Sequence, residues 1–342
     1  MEKRSSSSRP TVRQLRITEE VVAWYIRTHW MTADDIGTPE TFIDRTRVGE
    51  FAVDPSAFEA GEPGALARIL VAVCLFQRLR DQLVLRILRG IPADRVGALT
   101  AMDKLAESAL EADCVARRSL DGLRTGCDLS KDAQRRGTCT RVSPGACPLH
   151  RHAEDLHRYG HFGKVPTSLA LAIHSAGAAD LGELHRDVMS RHRSRGERAD
   201  ALKQVLCRAW RVDKKIASMF LSLVCTPGLS RWRAPWREGI AWERFVVVDS
   251  NVDAYLSTIG YGGAGSYDAR RTFVTDLARK IDLRRHSRRL HSFNPRIVQQ
   301  AAYVFAGRSN RAANPRDCSH AGRDECSRCP RALADRCPVR FG

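Results

Sequence analysis

Residues 210–223 read Trp-Arg-Val-Asp-Lys-Lys-Ile-Ala-Ser-Met-Phe-Leu-Ser-Leu. Ile216, Met219, Phe220 and Leu223 recur at three- and four-residue spacing, so they share one face of a helix that has Lys215 near its start. The same period runs upstream through residues 168–207, first in Leu169, Leu171, Ala172 and Ile173, then in Leu181, Leu184, Val188 and Met189. Downstream, residues 226–244 read as a loop in which Pro227, Gly228, Pro235 and Gly239 interleave with Trp232, Trp236 and Trp242. Those tryptophans either stack on a planar ligand or fill a core, and core is the reading for at least one.

Further out, Phe-Val-Val-Val-Asp-Ser-Asn-Val-Asp-Ala-Tyr-Leu spans residues 245–256 and puts Asp249 where an N-cap belongs, ahead of Val252, Tyr255, Leu256 and Ile259. Residues 270–291 are dominated by basic side chains, and residues 295–305 read as one more short helix. Toward the N-terminus, Leu66, Ile69, Leu70, Val73 and Phe76 mark a strong helix over residues 64–89, apolar at first and then basic through Arg78, Arg80, Arg86 and Arg89. A weaker helix follows over 98–110. Strand signals are nearly absent and no repeat is evident, so the expected class is all-α. The segments are expected at 1–15 (a disordered basic arm), 16–63 (with a helix through Val21, Val22, Trp24 and Tyr25), 64–110, 111–165, 166–310 and 311–342. Residues 111–165 look like an insertion, poor in large apolar residues and holding Cys114, Cys127, Cys139 and Cys147 with His150, His152, His157 and His161.

Composition narrows the partner. The 342 residues carry 56 Lys+Arg against 39 Asp+Glu, a net charge of +17, with an ordinary 43% hydrophobic share. An excess of that size attracts a polyanion by releasing its counterions, so nucleic acid is the expected partner, although an arginine-rich proteome would raise the charge of every protein it encodes. The first thirteen residues lack the apolar core of a signal peptide, and no run approaches the roughly 20 apolar residues needed to span a bilayer. An intracellular, cytoplasmic protein without membrane contact, nucleoid-associated if bacterial, is expected. Eleven cysteines in a reducing compartment point to metal rather than disulfides.

The tail carries the sharpest chemical pattern: Cys318, seven residues, Cys326, two residues, Cys329, seven residues, Cys337. A Cys-x-x-Cys flanked by two outlying cysteines suits either tetrahedral zinc or a four-iron cluster, and spacing alone does not choose. A second candidate metal set, Cys127, Cys139, Cys147 and His150, lies in the insertion with irregular outer spacing. Its alternative is scattered Cys and His in a flexible basic loop. Cys74, Cys207 and Cys225 lie on apolar faces and read as core.

The order of an apolar helix ending in Gln77, a segment with Lys215, Val-Val-Val-Asp249 and a terminal four-cysteine loop resembles the endonuclease III branch of the helix-hairpin-helix DNA glycosylases. The resemblance covers residues 64–110 and 166–337. It implies a two-lobed all-α glycosylase fold and a [4Fe-4S] cluster on Cys318, Cys326, Cys329 and Cys337, with zinc the lesser candidate. It further implies a partner of double-stranded DNA with a damaged or modified base, acted on by a monomer. Lys215, followed two residues on by Ala217, matches the family's nucleophilic lysine. Asp249 matches its catalytic aspartate, in Val-Asp-Ser-Asn where the family has a segment like Val-Asp-Thr-His. Gln77 stands where the family fills the gap left by a flipped nucleotide. The chemistry suits both catalytic types: a carboxylate stabilises oxocarbenium character at the sugar, and an activated lysine forms a Schiff base at C1′ that leads to β-elimination.

The chain departs from the family pattern in three places. Its outer cysteine gaps are longer, its linker from lysine to aspartate is longer, and Trp210-Arg211-Val212-Asp213 stands where the family carries a Gly-x-Gly turn that holds a DNA phosphate. Phosphate grip is therefore expected from Arg211, Lys214 and the cluster Arg284, Arg285, Arg288, Arg289, unless that cluster is a merely solvated face. Three functions remain open on these residues: a glycosylase with AP lyase activity, a monofunctional glycosylase using Asp249 and water, and a non-catalytic DNA-binding iron-sulfur protein. The insertion and the tryptophan loop suggest a modified or bulky base as substrate.

Overall fold

The structure, a computed structural model, describes residues 9–32, 34–129, 147–158, 160–314, 317–320 and 329–339. Among them every regular element is helical and none is a strand, so the chain is all-α there. The helices are α1 (Val12–Thr28), α2 (Pro39–Ile43), α3 (Arg45–Val48), α4 (Pro55–Ala60), α5 (Pro63–Cys74), α6 (Asp81–Gly90), α7 (Ala93–Thr100), α8 (Met102–Leu110), α9 (Pro148–Asp155), α10 (Lys164–His174), α11 (Leu181–Arg191), α12 (Arg195–Cys207), α13 (Lys214–Cys225), α14 (Ser250–Thr258), α15 (Tyr267–Ala278), α16 (Pro295–Ala306) and α17 (Arg308–Ala313). No helix among the described residues is long and apolar enough to cross a membrane.

Two compact units emerge: a central unit of residues 42–225 and 234–242, and a terminal unit of residues 1–41, 226–233 and 243–342. The segments read from the sequence as 16–63 and 166–310 are each split by this division, because α16, late in the chain, packs on α1 at its start. Residues 12–15, read as part of a disordered arm, are helical. Thr11 and Gln14 form a reciprocal capping box that satisfies two otherwise orphaned backbone N–H groups.

The central unit is organised by three helices that are buried almost all round. α5 is buried from Ala65 to Cys74, α10 from Lys164 to Ile173 and α13 from Ile216 to Cys225. A helix apolar on every side has to lie inside its neighbours, and α13 packs between α5 and α12 while α10 packs on α8, α9 and α12. Trp236 belongs to this core. Its ring stacks on His185 at 4.7 Å and meets Phe220 edge-on at 6.0 Å.

Two features of this unit differ from expectation. The helix expected over 64–89 is two helices, interrupted at residues 75–80, where Arg78 takes a left-handed φ of +57°. The Gln77 side chain folds back to donate to the Cys74 carbonyl (2.8 Å), which closes the end of α5. The segment 111–165 has a packed apolar cluster of its own rather than the texture of a flexible loop: Ala116, Leu123, Cys127, Leu129, Cys147 and Leu149 gather against Ala109 and Leu171. α9 approaches the turn at Gly160–Gly163 so closely that a Cβ on Gly163 would sit 1.8 Å from the Leu149 carbonyl oxygen.

In the terminal unit α16 is buried from Pro295 to Phe305 and is packed by α1, α14 and α15. Burial obliges its polar side chains to find partners. Arg296 donates to Gln300 Oε1 (2.6 Å) and to the Gly37 carbonyl (2.9 Å), and Gln300 donates to Asp35 Oδ1 (2.7 Å) and the Ile36 carbonyl (2.9 Å). Tyr25 donates its hydroxyl to the other oxygen of Asp35 at 2.5 Å.

Asp35 in the terminal unit and two histidines in the central unit respond oppositely to acid. Burial raises Asp35 from 3.8 to about 7, so its contribution to stability is complete below pH 3.8 and is lost as pH rises to about 7. Burial lowers His152 and His185 in the central unit from 6.5 to about 4, so their contribution is present above pH 6.5 and is lost as pH falls to about 4. Between pH 7 and pH 4, peptides of the terminal unit around Tyr25, Asp35 and Gln300 are expected to gain protection in hydrogen-exchange mass spectrometry. Peptides around His152 and His185 are expected to lose it. Asp35→Asn removes the first response; a parallel response of both units to acid would refute this assignment.

Candidate functional site

α12 and α13 pack on one another and are joined by residues 208–213. The turn is seated by the Trp210 N–H, which donates to Ser168 Oγ (2.9 Å), and by the carbonyl of Arg208, which accepts from Arg124 (3.4 Å). Asp213 caps α13, its carboxylate accepting the Ile216 N–H at 3.0 Å. Lys214 and Lys215 then open the helix at its positive end, where an ammonium is disfavoured by about 0.3–1 kcal/mol. Lys214 is exposed and Lys215 half-buried.

In this turn Arg211 has a φ of +57°. The left-handed conformation costs an L-residue about 1–2 kcal/mol and costs glycine almost nothing. The turn thus keeps a geometry suited to glycine while carrying a guanidinium. Arg78, in the Gln77 loop, shows the same strain at φ +57°.

The two strained loops face one open cleft of about 630 Å³ in the central unit. Gln77, Arg78, Arg124, Cys207 and residues 211–216 line it, so Gln77, Arg211, Lys214 and Lys215, singled out separately in the sequence, share one cavity. Five cationic side chains meet there (Arg78, Arg124, Arg211, Lys214, Lys215) against the single carboxylate of Asp213. Cys207, read as a core residue, is half-buried and belongs to this lining, and its thiol is pushed up by burial.

The segment 111–165 holds both loops from behind. Arg158 lies over the Phe162 ring (4.3 Å) and donates to the carbonyls of Leu75 (3.4 Å) and Gln77 (2.9 Å). Lys164, 1% exposed, donates to the carbonyls of Leu123 (2.7 Å) and Cys127, and its ammonium sits 4.3 Å from the centre of the Trp210 ring. Leu123 lies in a π-helical turn, Gly122–Gly126, which also brings Arg124 to the cleft. Loss of its solvent holds the Lys164 ammonium below its ordinary pKa.

Asp249 lies in the terminal unit as the N-cap of α14, accepting the Val252 N–H at 2.9 Å. Its charge is felt by the buried Arg296. Arg284 and Arg285 stand on a single turn capped by Asp282, and they are exposed, as are Arg288 and Arg289.

Cys318 and Cys337 converge on Arg311, whose guanidinium donates to their Sγ atoms at 3.2 and 3.5 Å. The same group is paired with Asp317 (2.8 Å), which His29 approaches at 3.6 Å. Burial pushes the Cys318 thiol up, with Arg311 pulling it down. Cys329 is described; Cys326 lies outside the described residues. In the insertion, Cys127 and Cys147 share an apolar cluster and His150 is 4% exposed with Nδ1 lacking a hydrogen bond, while Cys139 lies outside the described residues. Among the described residues no group of three or more His, Cys, Asp or Glu is placed to hold a metal ion.

Arg78, Arg124, Arg158, Lys164 and Arg311 were not singled out in the sequence. Their roles depend on which carbonyl, ring or thiol each side chain reaches, and isolated arginines in a chain this basic carry no such signal. No family model, curated protein or solved structure matches the chain.

The strain at Arg211 has a measurable signature. Arg211→Gly is expected to exceed Arg211→Ala in stability by about 1 kcal/mol, because both lose the guanidinium and only glycine relaxes at positive φ. The midpoints of urea unfolding, compared at equal m-value, check this. Equal midpoints would mean that the turn is not strained.

Proposed function

We propose that the protein is a DNA glycosylase with AP lyase activity, with Lys215 as its nucleophile. The observation that carries the reading is the cleft in which a half-buried lysine opens a helix among four further cationic side chains, on the cavity that also holds Gln77. A polyanionic substrate suits that charge, and an amine beside it suits attack at an electrophilic sugar carbon.

In this reaction the Lys215 amine forms a bond to C1′ as the C1′–N bond to the base breaks, the base leaving with the bonding pair and a proton. One amine proton passes to the departing base and the other to O4′ as the sugar ring opens, which gives the imine. Removal of a C2′ proton then expels the 3′-phosphate. The carboxylate of Asp249 is assigned to stabilise positive charge as it builds on the sugar. Arg78, Arg124, Arg211 and Lys214 are assigned to the phosphates, in place of the backbone amides of a glycine turn. Asp213 takes the Ile216 amide, one of the backbone donors at the start of α13, and the four cations are the charged donors of the cleft. The excised base is assigned to the modified or bulky class.

The terminal cysteines are assigned to a [4Fe-4S] cluster on Cys318, Cys326, Cys329 and Cys337. The fit rests on Arg311, which gathers the first and last of these thiols at hydrogen-bonding distance. A cluster there would tie the loop together and take no part in bond cleavage. The purified protein is expected to be brown, to hold about four irons per chain and to bleach on reduction. Cys318→Ala is expected to lose the iron, and a colourless protein with stoichiometric zinc would reverse the metal assignment.

Borohydride trapping on a duplex with one abasic site tests the nucleophile. A covalent adduct is expected for the wild type and for Lys214→Ala, and none for Lys215→Ala. An adduct that survives Lys215→Ala would move the amine elsewhere. No adduct with DNA binding intact would favour a monofunctional enzyme acting through Asp249 and water, or a protein that binds without chemistry.

A further inference from the structure

Next to the Lys215 cleft, within the central unit, lies a second cavity of about 720 Å³, inside the range of small-ligand sites. One wall is apolar and comes from α6 and the loop before it: Leu79, Leu83 and Ile87. Leu83 is 40% exposed, one of only four large hydrophobic side chains exposed among the described residues. The opposite wall comes from the segment 111–165, where Phe162 lies under the Arg158 guanidinium. This segment therefore supplies a planar cation, the Arg158 guanidinium backed by the buried Phe162 ring, beside an apolar wall left uncovered.

Four non-glycine residues among those described have positive φ, and three of them (Arg78, His157 and Arg211) line this one cavity. Each carries a conformational cost of about 1–2 kcal/mol. Among the described residues no carboxylate lines the cavity. Two of the strained residues, Arg78 and Arg211, also line the Lys215 cleft, so whatever fills the two cavities meets the same pair of guanidinium groups.

A flat, largely apolar occupant with an anionic attachment fits these walls, and a nucleotide has that chemistry. Resting on the nucleic-acid reading above, we propose that this cavity receives a second, unstacked nucleobase of the duplex. That base lies close to the nucleotide whose sugar faces Lys215, with its face against Leu79, Leu83 and the Arg158 guanidinium and its phosphate on Arg78 and Arg211. The segment 111–165 thereby builds a site that recognises sequence or pairing context rather than the excised base. Two bases can supply this chemistry: the one left without a partner across the duplex, and the neighbour in the attacked strand.

The experiment measures affinity by fluorescence anisotropy at one fixed salt concentration, using duplexes that hold a single tetrahydrofuran abasic analogue. One duplex is otherwise intact, one also lacks the base opposite and one also lacks the flanking base. Tetrahydrofuran forms no imine, so the readout is independent of Lys215 chemistry. Removal of the base that occupies the cavity is expected to weaken wild-type binding about tenfold, as loss of one base–side-chain stack does. The duplex that shows the effect identifies the source. In Leu83→Asp, and separately in Leu79→Ser, the same removal is expected to change affinity less than about twofold. Equal losses in wild type and both variants, or no loss from either removal, would overturn the proposal while leaving the borohydride result untouched. Absence of binding to all three duplexes would overturn the nucleic-acid reading with it.

Discussion

An ammonium group withdrawn from water has to be met by oxygen or by a ring face, and Lys164 shows how much of the central unit is arranged around that requirement. Its Nζ meets the carbonyls of Leu123 and Cys127 on one side and the Trp210 ring on the other. Hydrogen bonds from a charged donor contribute about 1.5–3 kcal/mol, and a stranded buried charge costs more than that. Lys164 thereby links the Leu123 and Cys127 carbonyls of the segment to Trp210 in the turn before α13. Arg158 extends the same device to the other side of the cleft, gripping the carbonyls of Leu75 and Gln77. Both loops facing Lys215 are held by cations from one segment, so their spacing is set by the insertion as well as by the helices they connect.

That arrangement explains why strain persists in those loops. A left-handed arginine in an unsupported turn would relax or be replaced by glycine, whereas a turn fixed at both ends leaves it no alternative geometry. Arg211 sits between Trp210, tied by its N–H to Ser168 and by its ring to Lys164, and Asp213, tied to the first turn of α13. Arg78 follows Gln77, whose backbone carbonyl is taken by Arg158 and whose side chain closes α5. In the proposed reading this turn would offer an anion guanidinium donors where a glycine turn offers backbone amides. A guanidinium reaches further from the turn than an amide and offers five N–H groups, a grip better suited to an anion that does not lie flush with the backbone.

The parts legible in the sequence are those written in periodicity and local capping. The burial of α5, α13 and α16, and the N-cap role of Asp249, follow from apolar spacing and from one carboxylate placed three residues before an orphaned N–H. The break after Cys74 was hidden because Leu75 and Phe76 continue the apolar face without interruption, and neither Gly nor Pro marks the positive φ at Arg78. Residues 111–165 resembled a loop because their core is built from alanines, cysteines and single leucines spread over short turns, with no period to detect. Cys207 was assigned to a core on the apolar periodicity of α12, yet it falls at the last residue of that helix, where the face turns toward the cleft. Gathering Gln77, Arg211, Lys214 and Lys215 into one cavity needed tertiary structure, since Gln77 and Arg211 are far apart in the chain and the packing of α5 on α13 brings their loops together.

Charge balance in the terminal unit bears on the cysteines. The Arg311–Asp317 pair is buried, with side-chain exposures of 2% and 0%, and is neutral in itself. Its remaining guanidinium N–H groups point at Cys318 and Cys337, and a thiol is a weak acceptor where a thiolate is a strong one. Deprotonating either cysteine strengthens those bonds but adds negative charge that Asp317 has already used Arg311 to offset. In the proposed reading a metal centre held by the cysteines would offset part of that charge while the N–H···S bonds remain. The pair would then hold two of the proposed ligands, Cys318 and Cys337, in place before the group binds.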